Sequence, residues 1–277
     1  MEFDLESQLT SSEDWASISN LFATEADHMI STVGAIDLCA RREAVSLVLQ
    51  VQSDCNLEPI IAYLAISYID RYLTKREIPR GKPWVVRLLS ISCLSLASKM
   101  NTNSIAVSDF QRKEGFIFDS QTIQRMELLV LGALDWRMLS ITPFSFLRFF
   151  ITFFPPGQLP LLQTLKAQAT QIILKAQIEI KMLEFKPSVV AASALLSAAY
   201  EFFPNQFLAF RAALTSCEFV NKEKLWECSR AMAIPTAAPA VTDGCEDSAS
   251  TGTLSSSNTP VTVLGRLCSS TESEPTV

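Results

Sequence analysis

From residue 37 to about residue 233, apolar residues recur at three- and four-residue spacing in one segment after another. Within that span no Asn-Gly or Asp-Gly dipeptide separates two alternating runs. A three-to-four period places apolar side chains along one face of a helix, whereas a half-buried strand needs a period of two. The chain is therefore expected to be all-α.

The helices can be laid out from their punctuation. Residues 37 to 53 form the first, with Leu38, Ala44, Val45, Val48 and Val51 expected inward. "LEPIIAYLAISYIDRYL" follows, with Pro59 in the first turn, where a missing N–H costs nothing. "PWVVRLLSISCLSLASKM" opens with Pro83. A polar stretch with a short helix leads to "TIQRMELLVLGALDW", residues 122 to 136, which Asp119 or Ser120 can cap. That is a set of about five helices. Thr142-Pro143 then gives a cap-plus-proline start to "PFSFLRFFITFF". The segment from Leu159 to Leu183 keeps one apolar stripe. "PSVVAASALLSAAYEFF" is crowded with Ala and Ser, which suits a central helix approached closely from several sides. Residues 205 to 214 and 221 to 233 complete a second set of about five.

The ends differ from this core. Residues 235 to 277 hold sixteen Ser or Thr, five acids, one arginine and no lysine. Such a composition cannot bury enough apolar surface to order itself, so a disordered tail is expected, with Thr259-Pro260 a candidate proline-directed phosphosite. Residues 1 to 36 are polar and acidic apart from "DWASISNLFATEADHMI", where Trp15, Ile18, Leu21, Phe22 and Met29 are available for docking. The domain reading is thus 1–36, an N-terminal segment with a short amphipathic helix; 37–138, a first helical set; 139–234, a second; and 235–277, the tail.

Composition excludes several classes of function. The net charge of -6 offers no basic stripe, so no nucleic-acid surface is expected. Seven scattered cysteines with no CxxC pair, and a single histidine, His28, leave no metal site or Cys-His pair to assemble. Neither a metal nor another cofactor is expected. The first twenty residues carry five acids and no lysine or arginine, unlike a secretory leader. The uncharged run between Arg148 and Lys166 is broken by Pro155, Pro156, Gly157 and Pro160, so it does not span a bilayer. An intracellular protein of nucleus or cytoplasm, without membrane contact, is expected. Phosphate-binding, nucleophile-elbow and zinc-protease motifs are missing, and a binding module is a better reading than an enzyme.

The informative residues are isolated charges within apolar helices: Arg41, Asp70, Lys99 and Glu127. Arg41 and Asp70 read as an internal ion pair that holds the first two helices in register. Around Glu127 two stripes compete. Ile123, Met126, Val130 and Ala133 form one; Glu127, Leu131 and Leu134 form the other. One can cover the chain's own core, leaving the second as a partner surface.

Those residues carry a family resemblance. "ARREAVSLVLQV", "AYLAISYIDRYL", "ISCLSLASKM" and "TIQRMELLVLGALDWRMLSITPFSFL" together resemble a cyclin, and most of all a plant D-type cyclin of the small sixth subclass. The resemblance runs through residues 37 to about 233, denser in the first set. It implies two consecutive five-helix cyclin boxes and a heterodimer with a cyclin-dependent kinase, which the chain would activate allosterically in G1/S control. It further implies that Lys99 and Glu127 flank the docking site of the kinase's regulatory helix, with Met100, Leu131, Trp136 and Met138 as neighbouring contacts.

Three departures qualify what carries over. Acids usually follow the helix-three lysine, whereas this chain reads Lys99-Met100-Asn101-Thr102-Asn103. The substrate-docking patch, here Ala40, Glu43, Ala44 and Leu47, lacks its tryptophan: Ser46-Leu47 stands where "DW" is usual. No LxCxE motif occurs, so direct binding of a retinoblastoma-type protein through it is not expected. Two rival readings are a cyclin-fold transcription factor, opposed by the acidic net charge, and a helical-repeat scaffold, opposed by the lack of a fixed period.

Overall fold

The computed structural model describes residues 12–29, 36–79, 82–101, 118–155 and 159–232. Among them are ten α-helices and no strand. In chain order they are α1 (Ser12–Thr24), α2 (Leu38–Asp54), α3 (Pro59–Lys75), α4 (Pro83–Met100), α5 (Ser120–Ala133), α6 (Phe144–Ile151), α7 (Leu159–Ala176), α8 (Pro187–Phe202), α9 (Pro204–Thr215) and α10 (Lys222–Ala231). All belong to one unit, Met1–Thr236. The short helix expected between α4 and α5, and the tail with Thr259, lie outside the described residues.

Four helices build the first core. α4 is its axis: Leu88 to Ser98 are buried without interruption, because α2, α3 and α5 all pack on it. Four serines, Ser90, Ser92, Ser95 and Ser98, keep that helix slim enough for its neighbours to approach. α3 begins at Pro59, as the missing N–H allows. α2 is capped by the Asp37 carboxylate, which accepts from Cys39 N and Ala40 N at 3.0 and 3.1 Å. Leu38, expected inward, is exposed, while Ala40 and Arg41 of the same turn are buried.

The second core has α8 as its axis. Every residue from Pro187 to Ala199 is buried, and α6, α7, α9 and α10 surround it. Eight Ala or Ser residues, among them the runs 191–194 and 197–199, permit that crowding. α7 ends at Ala176, not near Leu183 as the stripe suggested; a turn and a 3₁₀ segment, Ile180–Glu184, follow. The Thr142-Pro143 cap does not operate either. Pro143 is itself the N-cap of α6, and the buried Thr142 hydroxyl has no hydrogen-bond partner.

Two contacts tie these parts together. Arg41 of α2 is 2% exposed and pairs with the fully buried Asp70 of α3, Nε–Oδ1 2.8 Å and Nη2–Oδ2 3.2 Å. The same guanidinium donates to Gln177 O at 2.9 Å and Ile178 O at 3.0 Å, just past the end of α7. A cation at a helix C-terminus satisfies carbonyls that the helix leaves free. Arg41 thus joins the first core to the turn that follows α7.

The second contact seats α1. Ile18 and Phe22 are buried in the second core, where Phe22 stacks on Phe219 at 4.3 Å. Glu25, 2% exposed, accepts from Ser188 N at 3.0 Å and Ser188 Oγ at 2.9 Å, and lies 3.5 Å from Lys186 Nζ. It caps α8, whose own N-cap residue, Lys186, makes no side-chain cap bond. Among the described residues no helix is long and apolar enough to cross a membrane.

Candidate functional site

α5 brings the acid of the site against the end of α4. Asp119 starts α5 by accepting from Thr122 N at 2.8 Å. Ile123, Met126, Val130 and Ala133 then face inward, as their spacing predicts. Glu127, at the margin of that buried arc, receives both hydrogen bonds of the pair from Lys99 Nζ, each 2.7 Å. The two side chains are unequally covered: 9% of Glu127 is exposed, against 54% of Lys99. The carboxylate is therefore a fixed, nearly buried acceptor, while the ammonium lies half in water with a donor to spare.

The second stripe on α5 is not the open face expected of it. Leu134 is buried and Leu131 partly so; both pack on the first core. The apolar exposure lies instead at Leu128 and Leu129, 59% and 60% exposed. One residue is 100° of helix, so an adjacent pair opposite the core straddles the outer face, which a single i, i+4 stripe could not reveal.

The end of α5 presents a further aromatic. Asp135 and Trp136 both have positive φ, 52° and 59°, a left-handed region that costs a residue with a Cβ roughly 1 kcal/mol or more. Their turn is held by Trp136 N to Leu131 O at 3.0 Å and by Lys75 Nζ to Asp135 Oδ2 at 2.7 Å. The Lys75 bond holds the Asp135 carboxyl below its usual range. Arg71 Nη2 to Arg137 O, 2.6 Å, secures the next residue. The result is a tryptophan 67% exposed, with Leu139 beyond it also exposed.

The sequence-expected residues therefore separate into two groups. Lys99 and Glu127 meet where α4 ends beside α5, with Met100 exposed next to Lys99; Leu131 lies one turn further along α5, and Trp136 stands past its end in the turn held by Lys75. Met138 does not present a side chain there: it is buried in the first core, and its carbonyl accepts from Tyr68 Oη at 2.9 Å. The substrate-docking patch is closed as well. Ala40, Ala44 and Leu47 are buried in the first core, and only Glu43 reaches the surface, 3.8 Å from Arg87. Leu128, Leu129 and Leu139 were missed, although the Leu-Leu doublet on the helix's polar side was the available signal. Asn101 Nδ2 donates to Glu58 Oε2 at 2.7 Å, so the residue standing where the family has an acid is engaged within the chain.

Two helical sets of this kind, one closed by an Arg–Asp pair and bearing a Lys–Glu pair at its rim, match known domain families. Residues 16–139 match the cyclin N-terminal domain and residues 141–242 the cyclin C-terminal domain, so the chain belongs to the cyclin family. Within it, the similarity is to plant D-type cyclins. Cyclin-D6-1 of Oryza sativa subsp. japonica is 47% identical, over 99% of this chain and 85% of that one. The putative cyclin-D6-1 of Arabidopsis thaliana is 40% identical, over 84% and 83%. The fold resembles the viral cyclin of herpesvirus saimiri, with a TM-score of 0.66 at 18% identity over 78% of this chain and 96% of that one.

Proposed function

We propose that this cyclin is the regulatory subunit of a cyclin-dependent protein kinase, which it binds and activates allosterically in control of the G1/S step, in nucleus or cytoplasm. The observation that carries the reading is the Lys99–Glu127 pair, anchored on its acidic side and open on its basic side, next in sequence to exposed Met100 and Leu128, with Trp136 exposed past the end of α5. A docked helix would place a backbone carbonyl or carboxylate on the Lys99 ammonium, while its apolar side chains cover Leu128, Leu131 and Trp136. Leu131 is partly buried, so it would form the floor of the contact.

The chemistry stays with the kinase. An ion pair between a strand lysine and a glutamate of the kinase's regulatory helix must form before ATP is correctly held. A rigid cyclin surface that binds only the inward position of that helix shifts a two-state equilibrium. Moving it from 1:99 to 99:1 takes about 5.5 kcal/mol of differential affinity. A few well-packed apolar anchors around one desolvated charge contact are of that order.

The test is co-purification of the full chain with a panel of cyclin-dependent kinases, followed by a kinase assay of each complex against the free kinase. Stable association and a rate increase of at least tenfold with one kinase support the proposal. Association without activation would leave a scaffold, and no association with any kinase would overturn the reading.

A further inference from the structure

The second helical set carries an open groove that its core does not fill. It lies where α7, α8 and α10 end, at Ala176, Phe202 and Ala231, and encloses about 590 Å³. Ordinary ligand sites hold roughly 300–1,000 Å³. The lining includes buried Ala176 and Ser197 and, more openly, Ile178, Tyr200 and Met232.

Two of these apolar groups are held in place yet left in water. Ile178 is 49% exposed, although Arg41 Nη1 fixes its carbonyl at 3.0 Å. Tyr200 is 41% exposed, and its ring packs edge-on to Phe207 with 5.3 Å between centroids. Apolar groups already ordered lose little further freedom when a partner covers them, which favours binding.

The charges of the lining differ in what the fold explains. Lys175 stands in the last turn of α7, where the helix dipole favours a cation. Glu201 stands in the last turn of α8, where the same dipole opposes an acid. Glu179 precedes the 3₁₀ segment but makes no side-chain cap bond to it. Among the described residues neither acid is in an ion pair. Three helix C-termini add partial negative charge, so the groove is apolar within and negative at its rim.

We infer that this groove binds a segment of a partner protein in which one or two aliphatic side chains are flanked by Lys or Arg. The aliphatic side chains seat against Ile178, Tyr200 and Met232, and the flanking cations are taken by Glu179 and Glu201. The kinase-facing residues lie on α4, on α5 and in the turn after α5, which contribute nothing to this lining. The groove is therefore a second docking surface, for a third protein.

The test uses the full chain without kinase, and short fluorescent peptides read by anisotropy. One peptide carries two leucines flanked by arginines. In a second the arginines become glutamates, and in a third the leucines become serines. The first should bind at least tenfold tighter than either control, and more weakly as salt is raised. Glu201→Lys suits the end of α8 better and should melt no earlier than wild type, yet weaken the first peptide at least fivefold. Ile178→Ser should weaken it by a similar factor. Glu77→Lys, the same charge change on the exposed surface of the first set, should bind within twofold of wild type. No binding of the first peptide, equal binding of the glutamate peptide, or equal losses in Glu201→Lys and Glu77→Lys would overturn the proposal. A full chain that sediments as a dimer and returns to monomer on Ile178→Ser would also overturn it, because a second copy then fills the groove.

Discussion

The unequal burial of Lys99 and Glu127 makes a prediction that separates folding from docking. Lys99→Met removes both 2.7 Å bonds from a carboxylate that is only 9% exposed, leaving an uncompensated charge at the edge of the first core. Stripping the partner from such a group costs about 2–3 kcal/mol. Glu127→Gln does the reverse. The remaining ammonium is 54% exposed and water takes over its solvation, so the cost is about 1 kcal/mol or less. With roughly 2–4 °C per kcal/mol for a domain of this size, Lys99→Met should melt about 4–12 °C early and Glu127→Gln no more than about 4 °C early. Thermal unfolding followed by circular dichroism gives the first readout, and kinase affinity by calorimetry the second. Both variants should lose at least tenfold in affinity. If Glu127→Gln melts earlier than Lys99→Met, the carboxylate is not the buried member and the electrostatic reasoning fails. Should both variants bind the kinase like wild type, the docking surface has been misplaced.

Further tests address the two ties. Arg41→Met leaves Asp70 buried and unpaired, and loss of one partner of a buried pair costs about 3–5 kcal/mol, to be read by urea unfolding. Burial already pushes the Asp70 carboxyl up to about 6 against the pull of Arg41. Removing Arg41 raises it further, and a carboxyl raised above its unfolded value is protonated more readily in the folded state. The variant should therefore regain stability relative to wild type as pH falls through neutrality to about 6, below which both gain alike; a deficit that stays constant from pH 8 to 6 would contradict the assignment. Glu25→Ala removes the cap of α8 and its ion pair with Lys186, for a loss of about 1–2 kcal/mol measured by thermal unfolding. An unchanged melting temperature would show that α1 is seated by Phe22 and Ile18 alone.

The helices themselves were legible because their determinants are local. Three- and four-residue spacing, Pro59, Pro83 and Pro187 at first turns, and Asp119 as a cap each act within one turn of chain, so α3, α4, α5 and α8 can be read directly. The run of Ala and Ser in α8 likewise announces a helix crowded on every side. Long-range partners carry no such local mark. Periodicity could not show that Arg41 reaches carbonyls at residues 177 and 178, nor that α7 ends at Ala176 while its apolar stripe continues. Nor could it show that Glu25 caps a helix 163 residues away, since a buried acid in an acidic segment reads as solvent-facing. The site divides in the same way. Lys99 and Glu127 stood out as charges in apolar helices, but which of their neighbours face water depends on what the rest of the chain already covers. Ala40, Ala44, Leu47 and Met138 were covered from within the first core, while Leu128 and Leu129 were left bare. Amphipathic period states which residues can share a face; only the packing of separate helices decides which face is used up in folding and which remains for a partner.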